Sequence, residues 1–531
     1  MATRTHVVAR RDDLQDGEMK HLQAGETDIL LARIGGRYFA TGAHCTHYGA
    51  PLAEGVLSGE EVMCPWHHAC FNITTGRQTE PPGMDSLPCF EVEVRGDDVL
   101  VHVPEKETGP RVVSMADRDD EDARVFVVLG AGAAGAYAVE AMRAAGYAGR
   151  IVLIAGEEFP PVDRPNLSKQ YLSGEAPEEW IPLRSPAFYE EHGIEVVEGT
   201  VTKVEATTRQ LTFADGRVLG YDKLLLCTGG RPRTLSVPGA DLPGVYTLRS
   251  LSDSRAIRDR AARAQKAVVV GASFIGMEAA WSLQHRGLEV TVVASEAVPF
   301  ETVFGEEVGR VIQQIHETNG VRFRLGTQVQ AIAGTTQVQA VHLSDGTVLE
   351  TDLVIVGIGV QPATGYLHGV ERAEDGSIVV DDHFQAAPDL YAAGDIARFP
   401  FWRSGDLVRI EHWRTACQQG RLAGYAMAGQ PRPYRGIPFF WTAHFGTSIR
   451  YVGHAEAWDA QVIQGDCGDA SCLVYYVREG VIQAALGIGR DREMAAIHLL
   501  MRQDALPPVE AIRRGAVDVI ERARSLASSA A

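Results

Sequence analysis

Two glycine turns constrain this chain more than any other feature. "VFVVLGAGAAGAYAVEAMRAAG" begins at Val125, and "AVVVGASFIGMEAAWSLQHRG" begins at Ala267. Each reads as a buried strand, a glycine turn and a helix. Gly130, Gly132 and Gly135 spell G-x-G-x-x-G; Gly271, Ser273 and Gly276 spell G-x-S-x-x-G. Such a turn bends tightly and lets backbone N–H groups approach a pyrophosphate at the helix N-terminus. The motif alone is weak, but its place directly after an apolar strand makes it strong. Two such turns predict two dinucleotide-binding units. Apolar strands alternate with helices up to about Gly429, which predicts parallel sheets.

The flanking regions have a different texture. Residues 1–104 are strand-like, with hairpin signals at Gly35-Gly36 and at Gly96-Asp97-Asp98. They predict a small all-β domain. Residues 105–123 are acidic and without apolar period, and predict a flexible linker. The α/β region divides into a discontinuous first nucleotide domain, 124–245 and 365–433, with the second nucleotide domain, 246–364, between its parts. Residues 434–531 turn strand-like again and end in a helical tail, an α+β domain.

Composition narrows the class. The 531 residues are 45% hydrophobic and 22% charged, as expected of a folded multidomain chain. No apolar run reaches the roughly 20 residues of a membrane helix. The N-terminus lacks a signal-peptide core and carries early acids at Asp12, Asp13 and Asp16, so a cytoplasmic location is expected. A net charge of −19 disfavours nucleic acid and anionic lipid as partners. Eight cysteines are too few for a disulfide framework and point to metal or redox use of some of them.

"HCTHYGAPLAEGVLSGEEVMCPWHHACF", His44 to Phe71, holds the densest cysteine chemistry. Cys45 and His47 form C-x-H; Cys64 and His67 form C-x-x-H. Thiolates with imidazoles suit zinc or an iron–sulfur cluster. Zinc sites usually pair Cys with Cys and His with His. A Cys followed by a His, twice, suits two irons held by facing loops. This resembles the Rieske [2Fe–2S] proteins, in which two His replace two Cys on one iron. The resemblance covers 1–104 and makes Cys45, His47, Cys64 and His67 the expected ligands. Respiratory Rieske proteins carry an extra Cys on each loop and a serine after the second His. Here those places hold Ala50, Trp66 and Ala69. Fewer hydrogen bonds to the cluster sulfurs predict a potential near the low end of the Rieske range, roughly −150 mV. Cys70 and Cys89 are expected to be buried thiols. Cys467 and Cys472, spaced C-x-x-x-x-C, are expected to be unpaired surface thiols.

From 124 onward the chain resembles flavin- and pyridine-nucleotide-dependent oxidoreductases of the ferredoxin-reductase type. "DRPNLSK" (163–169), "LLLCTGGRPR" (224–233), "VGIGVQPAT" (356–364), "LYAAGDIA" (390–397), "EHWRTACQQGRLAG" (from Glu411) and "PFFWTAHFG" (438–446) stand in that family's order. With the N-terminal domain, the whole chain is similar to the apoptosis-inducing-factor-like Rieske flavoproteins. The resemblance implies FAD at Gly130, Gly132, Ala133, Ala134, Gly135, Glu157 (or Glu158), Arg164, Lys169, Thr228, Gly229, Arg231, Gly394, Asp395, His412, Trp413 and Trp441. It implies NAD at Gly271, Ser273, Phe274, Ile275, Gly276, Glu296, Gly357 and Gly359. Lys169 and Trp413 are the expected catalytic residues. No Lys or Arg near Glu296 is placed for a 2′-phosphate, so NADH is favoured over NADPH. The paired cysteines of flavin disulfide reductases have no counterpart at 164–171.

The reading that follows is an NADH-dependent oxidoreductase. It passes hydride to FAD and single electrons to the cluster, with the linker letting the Rieske domain swing toward an outside acceptor: a ferredoxin, an oxygenase component or another redox protein. A homodimer is compatible with it. Alternatives are a slow NADH sensor of the apoptosis-inducing-factor kind and a Rieske fold without electron traffic.

Overall fold

Period-two strands with Gly-Gly and Gly-Asp turns build the N-terminal domain. In the hairpin Thr27–Ile34/Arg37–Gly42, Ile34 faces Arg37, so Gly35 and Gly36 alone make the turn. Both have positive φ, 57° and 74°, as two-residue turns between twisted strands require. The six-stranded antiparallel sheet runs Thr3–Arg10, Asp98–Pro104, Cys89–Arg95, Arg37–Gly42, Thr27–Ile34, Met19–Ala24. A smaller sheet of Val56–Ser58, Glu61–Met63, Cys70–Asn72 and Gln78–Glu80 packs Leu57, Val62 and Phe71 with Leu30, Leu52 and Leu87.

The computed structural model describes residues 3–106, 109–157 and 161–528. It forms two compact units: Met1–Ser114 with Gly436–Trp441 and Ser448–Ala531, and Met115–Arg435 with Thr442–Thr447. The first unit therefore joins the two ends of the chain. Its C-terminal part is a five-stranded sheet ordered Phe439–His444, Thr447–Gly453, Val481–Ile488, Ser471–Arg478, Ala460–Asp466. The helix Asp491–Arg502 follows and buries Met494, Ile497, His498 and Leu499. Arg502 ion-pairs with Glu61, and His498 meets His68 through ring nitrogens 2.8 Å apart.

Cys467 and Cys472 correct the sequence reading. They are joined in a disulfide, and both are buried. The hairpin register explains it: Gly465 faces Cys472, and the turn folds Cys467 back over it.

The second unit holds two sheets of the doubly wound kind. One is ordered Ile194–Glu198, Arg150–Ala155, Val125–Leu129, Lys223–Leu226, Leu390–Ala392, Gln385–Ala387, parallel but for the last strand. The other, Val245–Thr247, Leu353–Val356, Lys266–Val270, Glu289–Val293, Arg322–Arg324, is parallel throughout. Valine, isoleucine and leucine fill the central strands Val125–Leu129, Arg150–Ala155, Lys223–Leu226, Lys266–Val270 and Leu353–Val356, whose side chains are mostly buried. The helices Ala133–Ala144 and Trp413–Met427 cross closely: a Cβ on Gly420 would lie 2.0 Å from the Ala134 carbonyl oxygen. No helix among the described residues is long and apolar enough to cross a membrane.

The described linker residues 109–123 form no helix or strand, yet they are anchored. Arg111 exchanges backbone hydrogen bonds with Ser86. The Ala116 N–H donates to Arg143 and the Asp119 N–H to Ala148.

Candidate redox site

The small N-terminal sheet presents two loops of matching closure. The Cys45 N–H donates to Ala50 O (2.9 Å), and the Cys64 N–H donates to Ala69 O (2.8 Å). Each loop thus closes five residues after its cysteine. The two thiols share a hydrogen bond, which with burial pushes Cys45 well above the ordinary thiol value. The His47 and His67 Nδ1 atoms approach to 2.9 Å. Burial holds His47 down to about 3, so its imidazole is neutral and has a lone pair to give. Paired thiols and paired imidazole nitrogens on facing loops are the donor set a two-iron cluster needs, sulfur on one iron and nitrogen on the other. Ala69 and Ala50 are fully buried and bring no hydroxyl or thiol. Cys70 is buried as expected; Cys89, expected buried, is exposed at the start of the strand Cys89–Arg95 and lies 3.5 Å from the Arg111 guanidinium.

Trp441 lies in this same unit. Its ring is 4.3 Å from His67 and 6.3 Å from His47, centroid to centroid. Sequence reasoning connected Trp441 with the flavin and missed its place on the cluster histidines. It also missed Phe439, stacked on His68 at 3.8 Å, and Arg450, buried in the C-terminal sheet. The Arg450 charge favours the Cys64 thiolate, and its guanidinium ion-pairs with Asp491 at 3.3 Å. These contacts join residues hundreds of positions apart, so no local signal announces them.

The first glycine turn fits a pyrophosphate. A Cβ on Gly130 would lie 2.3 Å from the Cys227 carbonyl oxygen, and one on Gly135 would lie 2.0 Å from the Gly130 carbonyl oxygen. Protein packing demands those two glycines. Gly132 is different: a Cβ there would meet only Arg164 Nε, at 3.9 Å. Its bare surface matches a ligand approaching the start of the helix Ala133–Ala144, where Ala133 and Ala134 are buried. Glu157, two residues past the strand Arg150–Ala155, accepts from Arg164 Nη2 at 2.5 Å. Glu158, the alternative acid, lies outside the described residues. Arg164 also donates to Arg249 O, and Arg249 donates to Asp395 Oδ2 at 2.6 Å. Gly394, at φ 77°, donates its N–H to Gln419 Oε1 (2.7 Å), which fixes the Gly394-Asp395 turn on the helix Trp413–Met427. Thr228 donates to Ala363 O. Gly229 has a φ of 66°, and Arg231 is exposed on the strand Gly230–Pro232. His412 caps the helix that Trp413 begins, and both are half-buried.

The second turn repeats the first. A Cβ on Gly271 would lie 2.3 Å from Gly357 O, and one on Gly276 would lie 2.0 Å from Gly271 O. Gly357 thus plays the part of Cys227. Ser273 precedes the helix Phe274–His285 without a side-chain capping bond. Ile275 and Ile358, each 37% exposed, form apolar surface beside the turn. Phe274 points elsewhere, packing edge-on against Phe300. Gly359 has a φ of 95°. Glu296 is half-buried and accepts from Ser295 Oγ.

A buried ion pair connects the two nucleotide domains. Lys169 Nζ lies 2.7 Å from Glu278 Oε1, with side chains 9% and 5% exposed. Thr442 Oγ1 donates to the same oxygen at 2.9 Å, and Ser168 Oγ donates to Oε2 at 2.5 Å. Thr442 also contacts His444 Nε2 at 3.2 Å, and the His444 ring lies 5.0 Å from that of His316. Glu278 was not foreseen. Its one signal is an acid inside the apolar run "GMEAAWSL".

This fold and this donor set define a flavin-dependent pyridine-nucleotide oxidoreductase with a Rieske [2Fe–2S] domain. Residues 4–91 match the Rieske [2Fe-2S] domain, 124–420 the pyridine nucleotide-disulphide oxidoreductases, and 439–522 the reductase C-terminal domain. The chain belongs to the pyridine nucleotide-disulphide oxidoreductase family, among its apoptosis-inducing-factor-like members with an N-terminal Rieske domain. It is 37% identical to human apoptosis-inducing factor 3 over 498 residues, 91% of this chain and 82% of that protein. It is 34% identical to the ferredoxin–NAD(+) reductase component of the biphenyl dioxygenase system of Paraburkholderia xenovorans, over 70% of this chain and 91% of that one. A ferredoxin reductase from Rhodopseudomonas palustris superposes with a TM-score of 0.71 at 31% identity, covering 75% of this chain and 99% of that one.

Proposed function

We propose that this protein oxidises NADH at the Gly271–Glu296 unit and passes the electrons, through FAD on the Gly130–Asp395 unit, to the Cys45/His47/Cys64/His67 cluster and then to an external redox protein. When bound, FAD accepts a hydride and gives up electrons singly, and the cluster carries one electron at a time. The chain's own residues do the rest. The glycine turns offer N–H groups to two pyrophosphates. Ile275 and Ile358 give the nicotinamide nucleotide an apolar bed. Lys169, held by Glu278, brings a fixed positive charge to the flavin site, and Asp395 with Arg249 holds the ribityl end. Trp413 and His412 flank the ring. Relatives named as ferredoxin reductases supply the class of acceptor, a ferredoxin or an oxygenase component.

The observation that carries this reading is the coexistence in one chain of two glycine turns built to one plan and a matched pair of Cys-His loops. Steady-state reduction of ferricyanide and cytochrome c with NADH and with NADPH tests it. Rapid turnover with a lower KM for NADH is expected. A preference for NADPH would overturn the nucleotide assignment. Reduction slower than minutes would favour the sensor reading.

A further inference from the structure

His21, Asp28 and His44 gather three metal-binding atoms on the surface of the N-terminal domain, all within 4.8 Å of one another. They come from three places in the sequence. His21 is on the strand Met19–Ala24, Asp28 on Thr27–Ile34, and His44 follows Arg37–Gly42. The sheet fixes their meeting: Asp28 faces Gln23 on one neighbouring strand, and Ile29 faces Gly42 on the other.

The spacing suits one ion. His21 Nε2 lies 2.8 Å from Asp28 Oδ1, and His44 Nε2 lies 3.7 Å from Asp28 Oδ2. Bonds of about 2.0–2.1 Å in a tetrahedron place ligand atoms about 3.3 Å apart, between those two distances. The His44 ring is already oriented: its Nδ1 bonds the Gly49 carbonyl oxygen at 3.1 Å. That leaves the Nε2 lone pair directed at the cluster of ligands, the arrangement in which a second hydrogen bond sets the ligating nitrogen. The side chains of His21, Asp28 and His44 are 39%, 38% and 44% exposed, so an ion can enter and keep a water as fourth ligand.

We propose that His21, Asp28 and His44 form a second metal site, separate from the cluster, for a borderline divalent ion of the zinc or copper kind. Two imidazoles and one carboxylate favour such ions over magnesium or calcium, which take oxygen ligands. The chain's charge of −19 favours cations generally, so the site's selectivity rests on its nitrogen donors. Because His44 precedes the ligand Cys45, a bound ion ties that ligand loop to two strands of the large sheet.

Calorimetric titration of the anaerobic holoprotein with Zn²⁺ tests the proposal, together with H21Q and D28N, which leave the four cluster ligands in place. One saturable Zn²⁺ per chain is expected, weakened at least about tenfold, or about 1.4 kcal/mol, in each variant, with the cluster absorbance unchanged. Cu²⁺ bound in place of zinc is expected to show nitrogen hyperfine structure from two imidazoles, reduced to one in H21Q. Absence of saturable binding, or binding in H21Q and D28N as tight as in the unsubstituted protein, would overturn the site.

Discussion

The Lys169–Glu278 pair gives the sharpest prediction about how the two nucleotide domains are held in register. Glu278→Leu removes a carboxylate that is 5% exposed and leaves the Lys169 ammonium, 9% exposed, without it. Breaking a buried ion pair from one side costs about 3–5 kcal/mol. The Ser168 hydroxyl, also buried, loses its acceptor, which adds about 1 kcal/mol or more. Thr442 keeps His444 as a partner and adds little. A total of about 4–6 kcal/mol, at about 2 °C per kcal/mol for a large unit, lowers the melting temperature by about 8–12 °C. The double variant Lys169→Met/Glu278→Leu replaces both charges with apolar groups. It is expected to recover most of that loss, because a well-packed apolar pair is often as stable as the ions it replaces. Thermal melts of the four proteins of this cycle measure the coupling. If Glu278→Leu shifts stability by less than about 0.5 kcal/mol, as at an exposed position, or if the double variant is as unstable as the sum of the singles, the pair is not the buried lock described here.

Three further outcomes follow from the geometry. Gly132→Ala is expected to leave the melting temperature of the flavin-free protein unchanged and to weaken flavin retention, whereas Gly420→Ala, whose Cβ would fall 2.0 Å from Ala134 O, is expected to destabilise by about 1–3 kcal/mol; equal melting losses would refute the distinction. Acid is expected to destabilise the second unit through His444, which burial, then the Lys169 charge, holds down to about 3, and through His316, which burial also holds low. Above about pH 6.5 a histidine is neutral in both states; as pH falls toward 3 the unfolded chain takes up the proton first, so His444 costs about 2 kcal/mol at pH 5 relative to pH 7.5, and His316 adds in the same direction. His444→Phe should flatten that part of the pH–stability curve; an unchanged slope would refute it. Arg450→Met removes a buried cation that favours negative charge at Cys64, and is expected to lower the cluster potential by about 30–60 mV in protein-film voltammetry; no change or a rise would refute it.

Much of this molecule was legible in its sequence because its defining features are local. A strand, a tight turn and a helix must be adjacent in the chain to make a phosphate cradle, so Gly130–Gly135 and Gly271–Gly276 could be read directly. The Cys-His loops are equally compact. The hairpins at Gly35-Gly36 and Gly96 followed from turn chemistry. What stayed hidden depends on packing between distant segments. Glu278 differs from any other helical acid only because Lys169, Ser168 and Thr442 converge on it. Trp441 and Arg450 acquire their relation to the cluster residues when the chain's two ends fold into one unit. The Cys467–Cys472 bond depends on a hairpin register that a Gly/Asp-rich loop does not reveal. The backbone bonds that Arg111, Ala116 and Asp119 make with Ser86, Arg143 and Ala148 have no signal in the linker's acidic composition.

The central claim is that one polypeptide carries current from a reduced nicotinamide nucleotide through a flavin to a histidine-ligated cluster. Anaerobic titration of the holoprotein with NADH, followed by visible absorbance and EPR together, tests it most directly. The account predicts that flavin absorbance bleaches and a reduced-Rieske signal grows in the same titration. Complete flavin bleaching with no reduced-cluster signal would contradict it.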